Sequence, residues 1–328
     1  MKIIKVSGLH DTIIHQTLDN RGVWDNCKFV LNDPHLDECD AWFVFDPNCL
    51  KEGDKCLCPK DKVFYIMGEP DCIHIYNDGF IKQFPNVIGI QKKHYDVQNM
   101  FRNYWCMWFV GLSFADGVQR INPEFDFDKL LQMPVPQKDK LISVVSSDKR
   151  MCEGHVQRLE FVDKLKEHFG DKIDVFGRGI NSFDDKADVL MSYKYHIAIE
   201  NAVQDDYITE KLLDPFITYT YPIYHGADNV GNYFNNNSFT QIDIRKPEKS
   251  IKIIEDIING DLFDKRLEYI KESREKVLKQ YNLFNKMAMM VNQSNNSNSK
   301  KHLIKLKPEN AYGYKRKIKR IIKKIIKW

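Results

Sequence analysis

The 328-residue chain has no apolar run long enough to cross a bilayer or to form the core of a signal peptide. Its opening residues, MKIIKVSGLHDTIIHQ, already mix polar and apolar side chains. This absence argues against a spanning protein and sets the expectation of cytoplasmic synthesis with reduced thiols. Cysteine occurs eight times but without metal-ligand spacing. Cys49, Cys56, Cys58 and Cys72 fall near one another, yet a Cys-x-Cys step departs from the usual spacing of zinc ligands, so free thiols are expected. No Asp-x-Asp element stands at the end of a candidate strand. Asp184-Asp185 and Asp205-Asp206 are adjacent acids in polar loops, which point apart more often than they share an ion. No obligatory metal is expected; stimulation by a divalent cation stays open. Net charge is also small, at +3, which by itself points to no particular partner.

That small charge conceals an asymmetry. Residues 300–328 hold twelve Lys or Arg and the single acid Glu309, a segment charge of +11 that leaves −8 for the rest. The last fourteen residues, KRKIKRIIKKIIKW, set Ile318, Ile321, Ile322, Ile325 and Ile326 at helical spacing among eight cations, with Trp328 at the end. This pattern predicts a helix lying on an anionic membrane surface through residues 315–328. Nucleic acid is the weaker alternative, because a purely electrostatic tail needs no apolar stripe.

At 43% apolar and 29% charged residues, the body has the composition of a globular protein, and its length predicts two lobes rather than one. Short runs rich in β-branched and aromatic residues (KIIKV, AWFVF, VFYIM, VIGI) read as strands buried on both faces of a parallel sheet. After the Pro-bearing QMPVPQKDK a second alternation follows, with LISVVS, KIDVFG, YHIAIE and YPIYHG as strands. Between the first two of these lies a helix with Val156, Leu159, Val162, Leu165 and Phe169 on one side and Gly170 as its stop. The expected domains are a first lobe over 1–138, a second lobe over 139–290, and a polar hinge with basic tail over 291–328. The fold class is α/β. Ligands of such sheets bind at the carboxyl ends of the strands.

The densest cluster of specialised residues is IAIENAVQDDYITEKLL. Thr209 is placed to cap a helix, which sets Glu210 and Lys211 in a first turn whose free N–H groups and dipole attract phosphate. Pro215 predicts a kink or reset after Asp214. Without further information this is a capped helix with a solvated Glu-Lys pair. The run YKYHIAIENAVQDDYITEKLLDPFITYTYPIYHG, however, resembles the donor-binding motif of the alpha-1,3/1,4-fucosyltransferases. Glu200-Asn201, Tyr207 to Lys211 and Pro222 to Gly226 fill its places, with Ala202 where the family has Ser.

That resemblance implies the two-lobed GT-B fold, with a site in the cleft between lobes, and GDP-fucose as donor. It implies donor-binding roles for Asn201, Tyr207, Glu210 and Lys211. Upstream, VVSSDKRMCEGHVQRLEFVDKL resembles the family element in which Arg158 contacts the diphosphate; taken alone, Arg158 is a solvated residue on a polar helix face. Ser146 and His196 occupy positions that line the donor pocket in relatives. VFYIMGEPD resembles the segment carrying the catalytic base, which makes Glu69 the candidate base for inverting transfer. Taken alone, Glu69 is a turn carboxylate. The implied acceptor is a hydroxyl of a GlcNAc- or Glc-containing surface glycan of lipopolysaccharide type, reached at the inner membrane face. Two alternatives remain: transfer from another nucleotide sugar, and a non-catalytic nucleotide or phosphoglycan binder.

Overall fold

The computed structural model describes residues 1–51, 54–102, 107–114, 117–148, 150, 152–177, 179–293 and 299–313. The chain folds as two compact units. One comprises Met1–Ile14, Gly22–Asn103 and Met287–Trp328; the other comprises His15–Arg21 and Tyr104–Lys286.

The first unit contains β1 (Lys2–Ser7), β2 (Val23–Trp24), β3 (Cys27–Leu31), β4 (Ala41–Val44), β5 (Asp54–Pro59), β6 (Val63–Ile66), α1 (Asp78–Ile81), β7 (Asn86–Ile88) and β8 (Asn99–Phe101). Its main sheet runs β2-β3-β1-β4-β6-β7-β8. All of its pairings are parallel except β2 with β3. The strands expected from the β-branched runs form because both of their faces are covered: Trp42, Phe43, Val44, Phe64, Tyr65 and Ile66 are all buried.

The second unit begins with β9 (Leu112–Ser113), β10 (Arg120–Ile121) and α2 (Phe127–Gln132), continues with β11 (Lys140–Val145), α3 (Glu153–Phe169), β12 (Ile173–Phe176) and β13 (Tyr193–Ile199), and closes with α4 (Glu210–Ile217), β14 (Tyr221–His225), β15 (Thr240–Gln241), α5 (Pro247–Asn259) and α6 (Leu262–Glu275). Its sheet is ordered β12-β11-β13-β14-β15 and is parallel throughout. A largely parallel sheet in each unit, with crossover helices α3 and α4 in the second, agrees with the GT-B expectation.

The chain returns to the first unit within α7 (Leu283–Gln293), after which β16 (Lys301–Leu306) pairs antiparallel with β5. Two expectations therefore change. The unit boundary falls near residue 103 rather than 138, because residues 108–130 pack into the second unit. Asp214 Oδ1 accepts the N–H groups of Phe109 and Val110 at 2.6 and 3.3 Å, and Asp185 takes Gly111 N–H at 3.1 Å and the Asn122 amide at 2.9 Å. Residues 301–306, expected as part of the basic tail, instead form β16, which contributes the buried Leu306 to the first unit's core. The predicted membrane helix over 315–328 lies outside the described residues. Among the described residues no helix is long and apolar enough to cross a membrane.

Candidate functional site

The carboxyl ends of β11, β12 and β13 converge on a cavity of about 700 Å³, within the range that holds nucleotide-sized ligands. Two glycines shape it. Gly177 follows β12 with φ of 146°, and a Cβ there would lie 1.7 Å from the Ser146 carbonyl oxygen. Gly154, in the first turn of α3, brings that helix so close to the β13–α4 loop that a Cβ would meet the Asn201 carbonyl oxygen at 2.2 Å.

This close approach delivers Arg158. The buried stripe of α3 is His155, Arg158, Phe161, Val162 and Leu165, so Arg158 occupies a core-facing position and is only 4% exposed, not solvated on a polar face. Its Nη1 donates to Asn201 Oδ1 at 3.0 Å and its Nη2 to Ser147 Oγ at 3.1 Å. Its Nε is buried with no partner. Burial lowers its pKa against the longer-range pull of Glu200; with no direct ion pair among the described residues, a buried guanidinium so placed is suited to meet an anion.

At the end of β13, Glu200 is fully enclosed and holds the start of α4. Its Oε1 accepts Thr209 N–H at 2.8 Å and its Oε2 the Thr209 hydroxyl at 2.7 Å. Thr209 caps the helix as expected, accepting from Lys211 N–H. The helix does not reset after Asp214: it runs through Pro215 to Ile217, where Thr218 closes it onto the Asp214 and Pro215 carbonyls. Gly226 is obligatory nearby, since a Cβ would stand 2.2 Å from the Tyr224 hydroxyl and 2.6 Å from Glu200 Cγ.

Burial pushes the Glu200 carboxyl up to about 7, against the opposing pull of Lys211. Burial also works against the Lys211 charge, but Glu210 at 2.9 Å and Glu200 at 3.8 Å outweigh it and raise the ammonium to about 12. Glu210 is opposed by burial, yet Lys211 and Lys186 hold it below the ordinary carboxylate range, so it stays ionised. Burial drives His196 well below its ordinary value. Its ring is therefore neutral, with Nδ1 2.8 Å from the Ser143 hydroxyl.

Arg158, His196, Glu210 and Lys211 line the cavity, together with Lys186, Phe109 and Phe114. Ser146, Asn201 and Tyr207 do not line it. Ser146 Oγ is buried without a partner behind it, Asn201 orients Arg158, and Tyr207 is buried with its carbonyl accepting from the Tyr224 hydroxyl at 3.3 Å. Glu69 belongs to the first unit, exposed in the loop after β6; Tyr76 Oη accepts its N–H at 3.4 Å, and Gln91 donates to its carbonyl at 3.1 Å. Lys186 escaped the sequence reading because it stands in the acidic stretch FDDKAD, which looks solvated. The adjacent Asp185 is instead buried and caps the turn that carries Lys186. Phe109 and Phe114 fall within the span expected for the lobe over 1–138; they lie in the second unit, ring centroids 6.2 Å apart.

Asp214 gives a test of this electrostatic picture. Burial raises its carboxyl from 3.8 to about 7, and Oδ2 has no partner. The unfolded chain then ionises first as pH rises, so this group's penalty on the folded state grows between about pH 4 and pH 7. Asp214→Asn keeps an oxygen for Phe109 and Val110 and is expected to gain on the parent by about 5 °C in unfolding temperature across that window. A difference between the two melting curves that does not change with pH would contradict the picture.

The family described as "Glycosyltransferase family 10 (fucosyltransferase) C-term" matches residues 135–303. The chain is 30% identical over 115 residues to GDP-fucose protein O-fucosyltransferase 3 of Danio rerio, a match covering 30% of this chain and 25% of that protein. It is 34% identical over 70 residues to the alpha-(1,3)-fucosyltransferase FucT of Helicobacter pylori, covering 21% of this chain and 15% of that protein. The chain thus spans a quarter or less of these two relatives. A crystal structure of an alpha1,3-fucosyltransferase with GDP superposes with a TM-score of 0.49 at 17% identity, covering 86% of this chain and 92% of that one. That superposition is too loose to carry more than the likeness itself. With just over half of its length matching the family, in the stretch that builds the cavity around Arg158 and Lys211, the chain belongs to glycosyltransferase family 10, the fucosyltransferases.

Proposed function

We propose that the protein transfers L-fucose from GDP-fucose to an acceptor hydroxyl by single displacement with inversion. The observation that carries this reading is the set of cations Arg158, Lys186 and Lys211 around the cavity, with Glu210 and Asp184 the acids among its described lining residues. Three cations, Lys211 at the start of α4, Arg158 on α3 and Lys186 in the turn before β13, match a diphosphate, whose charge grows as the sugar departs. Arg158 and Lys211 neutralise that charge, and Glu210, held by Lys211, orients the donor rather than attacking it. Asn201 positions Arg158, while Ser146, His196 and Tyr207 shape the wall behind the donor. Glu69 takes the proton of the acceptor hydroxyl as its oxygen attacks the anomeric carbon. No metal is assigned a step, because the diphosphate charge is met by side chains.

The acceptor is a GlcNAc- or Glc-containing surface glycan of lipopolysaccharide type. The tail over 315–328 holds the enzyme peripherally on the cytoplasmic face of the membrane, where such lipid-linked acceptors are assembled. A protein hydroxyl is the second reading, favoured by the relative named as a protein O-fucosyltransferase. A donor and acceptor screen with the purified chain tests both. Turnover of GDP-fucose above other nucleotide sugars, with glycan acceptors above peptides, is expected. Success with a different donor and failure with GDP-fucose would displace the proposal.

A further inference from the structure

In the first unit the segment after β16 folds back over the loop that carries Glu69. The clasp is built as a ladder: Lys301 pairs with Glu38 and Asp40, both at 2.8 Å, and Leu306 is buried in the core. Lys307 N–H donates to Gln83 at 2.8 Å, and Gln83 returns a bond to the Lys307 carbonyl at 2.9 Å. Glu309 N–H then donates to the Pro47 carbonyl at 2.7 Å, and Tyr312 lies against α1 where Gly79 leaves room, a Cβ there meeting its ring at 2.8 Å.

The Glu309 side chain, 11% exposed, is the contact point between this clasp and the loop. One carboxylate oxygen accepts Asn77 N–H at 2.5 Å, and the other is 2.9 Å from His74 Nε2. Between those two anchors stands Tyr76, its ring edge-on to His74 at 4.4 Å between centroids. Tyr76 Oη accepts the N–H of Glu69, and Gln91 grips the same loop by donating to the carbonyls of Glu69 and His74 at 3.1 and 2.5 Å. Gln91 is fixed in turn by the Tyr95 hydroxyl at 2.6 Å. The loop between Met67 and Asn77 is neither helix nor strand; beside the turn bonds of Ile73 and His74 N–H to the Pro70 carbonyl and the Lys92 N–H bond to Asp71, these side chains help to set its shape. A nearly buried carboxylate spent on one backbone N–H and one imidazole, both in a single loop, fixes that loop's shape at two points, one on either side of Tyr76.

We propose that Glu309 is a positioning residue: through His74, Tyr76 and Asn77 it holds the loop so that the Glu69 carboxylate keeps its working orientation. The inference rests on the reading of Glu69 as general base. A displacement of about 1 Å at a catalytic group lowers turnover far more than it lowers binding. The segment 299–313, near the start of the basic tail, then belongs to the acceptor-side machinery rather than to a spacer.

The test uses the full chain carrying Glu309→Ala or Glu309→Gln, with Glu69→Gln assayed alongside. Measured are kcat, KM for GDP-fucose, GDP affinity by calorimetry, and unfolding temperature. For Glu309→Ala, kcat is expected to fall about ten-fold while KM for the donor and GDP affinity stay within about two-fold. Glu309→Gln, which keeps an oxygen for Asn77 N–H, is expected to recover most of that loss. A kcat within about two-fold of the parent in Glu309→Ala, or a loss of GDP affinity in proportion to the loss of kcat, overturns the inference. Should Glu309→Ala fail to fold, Tyr76→Phe, which removes the oxygen that accepts Glu69 N–H, carries the test, and a kcat within about two-fold of the parent's then overturns it. Full turnover in Glu69→Gln sinks the base reading whatever Glu309 does. Lost turnover there, with unchanged kcat in Glu309→Ala, sinks the positioning role alone.

Discussion

Glu69→Gln is expected to lower kcat by about 10² to 10⁴, the range typical of a lost general base, while GDP affinity and the fold are unchanged. The size of the effect follows from what the amide cannot do. Glutamine fills the same space and keeps one acceptor oxygen, but it does not take a proton at neutral pH, so the acceptor hydroxyl must attack without its proton being removed. The selectivity follows from where Glu69 lies. Its side chain is exposed, so replacing the charge disturbs no packing and stability should move by about 0.5 kcal/mol or less. Every side chain assigned to the donor is in the other unit, so GDP binding should not register the change. Calorimetry with GDP and initial rates with saturating GDP-fucose separate the two quantities. A turn carboxylate would leave both alone, and a residue needed for folding would lower both. Only loss of turnover with retained binding fits a base.

Much of the frame behind this prediction can be read in the sequence, for a physical reason. The β-branched and aromatic runs at Lys2, Ala41, Val63, Leu141, Tyr195 and Tyr221 are continuous because a parallel sheet covered on both faces needs apolar side chains in both directions. Thr209 is equally legible, because capping is local chemistry. What stayed hidden depends on partners distant in the chain. The residues around Trp108 belong to the second unit, and no local signal shows it, because Asp214 and Asp185, which hold the backbone of Phe109 to Gly111, are far downstream. Arg158 looked solvated because its charge masked its place on the α3 stripe, where His155, Arg158, Val162 and Leu165 recur at helical spacing. Glu200 appeared within the motif but with no role, since nothing local says that both of its oxygens close on Thr209. Residues 301–306 carry lysines that merge with the basic tail, so nothing local marks the strand that pairs with β5.

The buried position of Arg158 is what makes it the sharpest probe of the donor site. Removing the guanidinium in Arg158→Ala takes away the cation and leaves Asn201 Oδ1 and Ser147 Oγ without their donor, so GDP should bind about 100-fold more weakly. Arg158→Lys is expected to recover less than about ten-fold of that loss, because one ammonium cannot hold Asn201, Ser147 and a phosphate oxygen together as the planar fork does. Loosening of the β13–α4 loop alone would also weaken GDP, so a second ligand is needed to separate the causes. Guanosine offers the same base and ribose without the phosphates. If Arg158 meets the diphosphate, guanosine affinity should stay within about two-fold across both variants while GDP affinity falls. If Arg158 only braces the loop through Asn201, both ligands should weaken together, and the assignment of the diphosphate to the Arg158 side of the cavity would have to be abandoned.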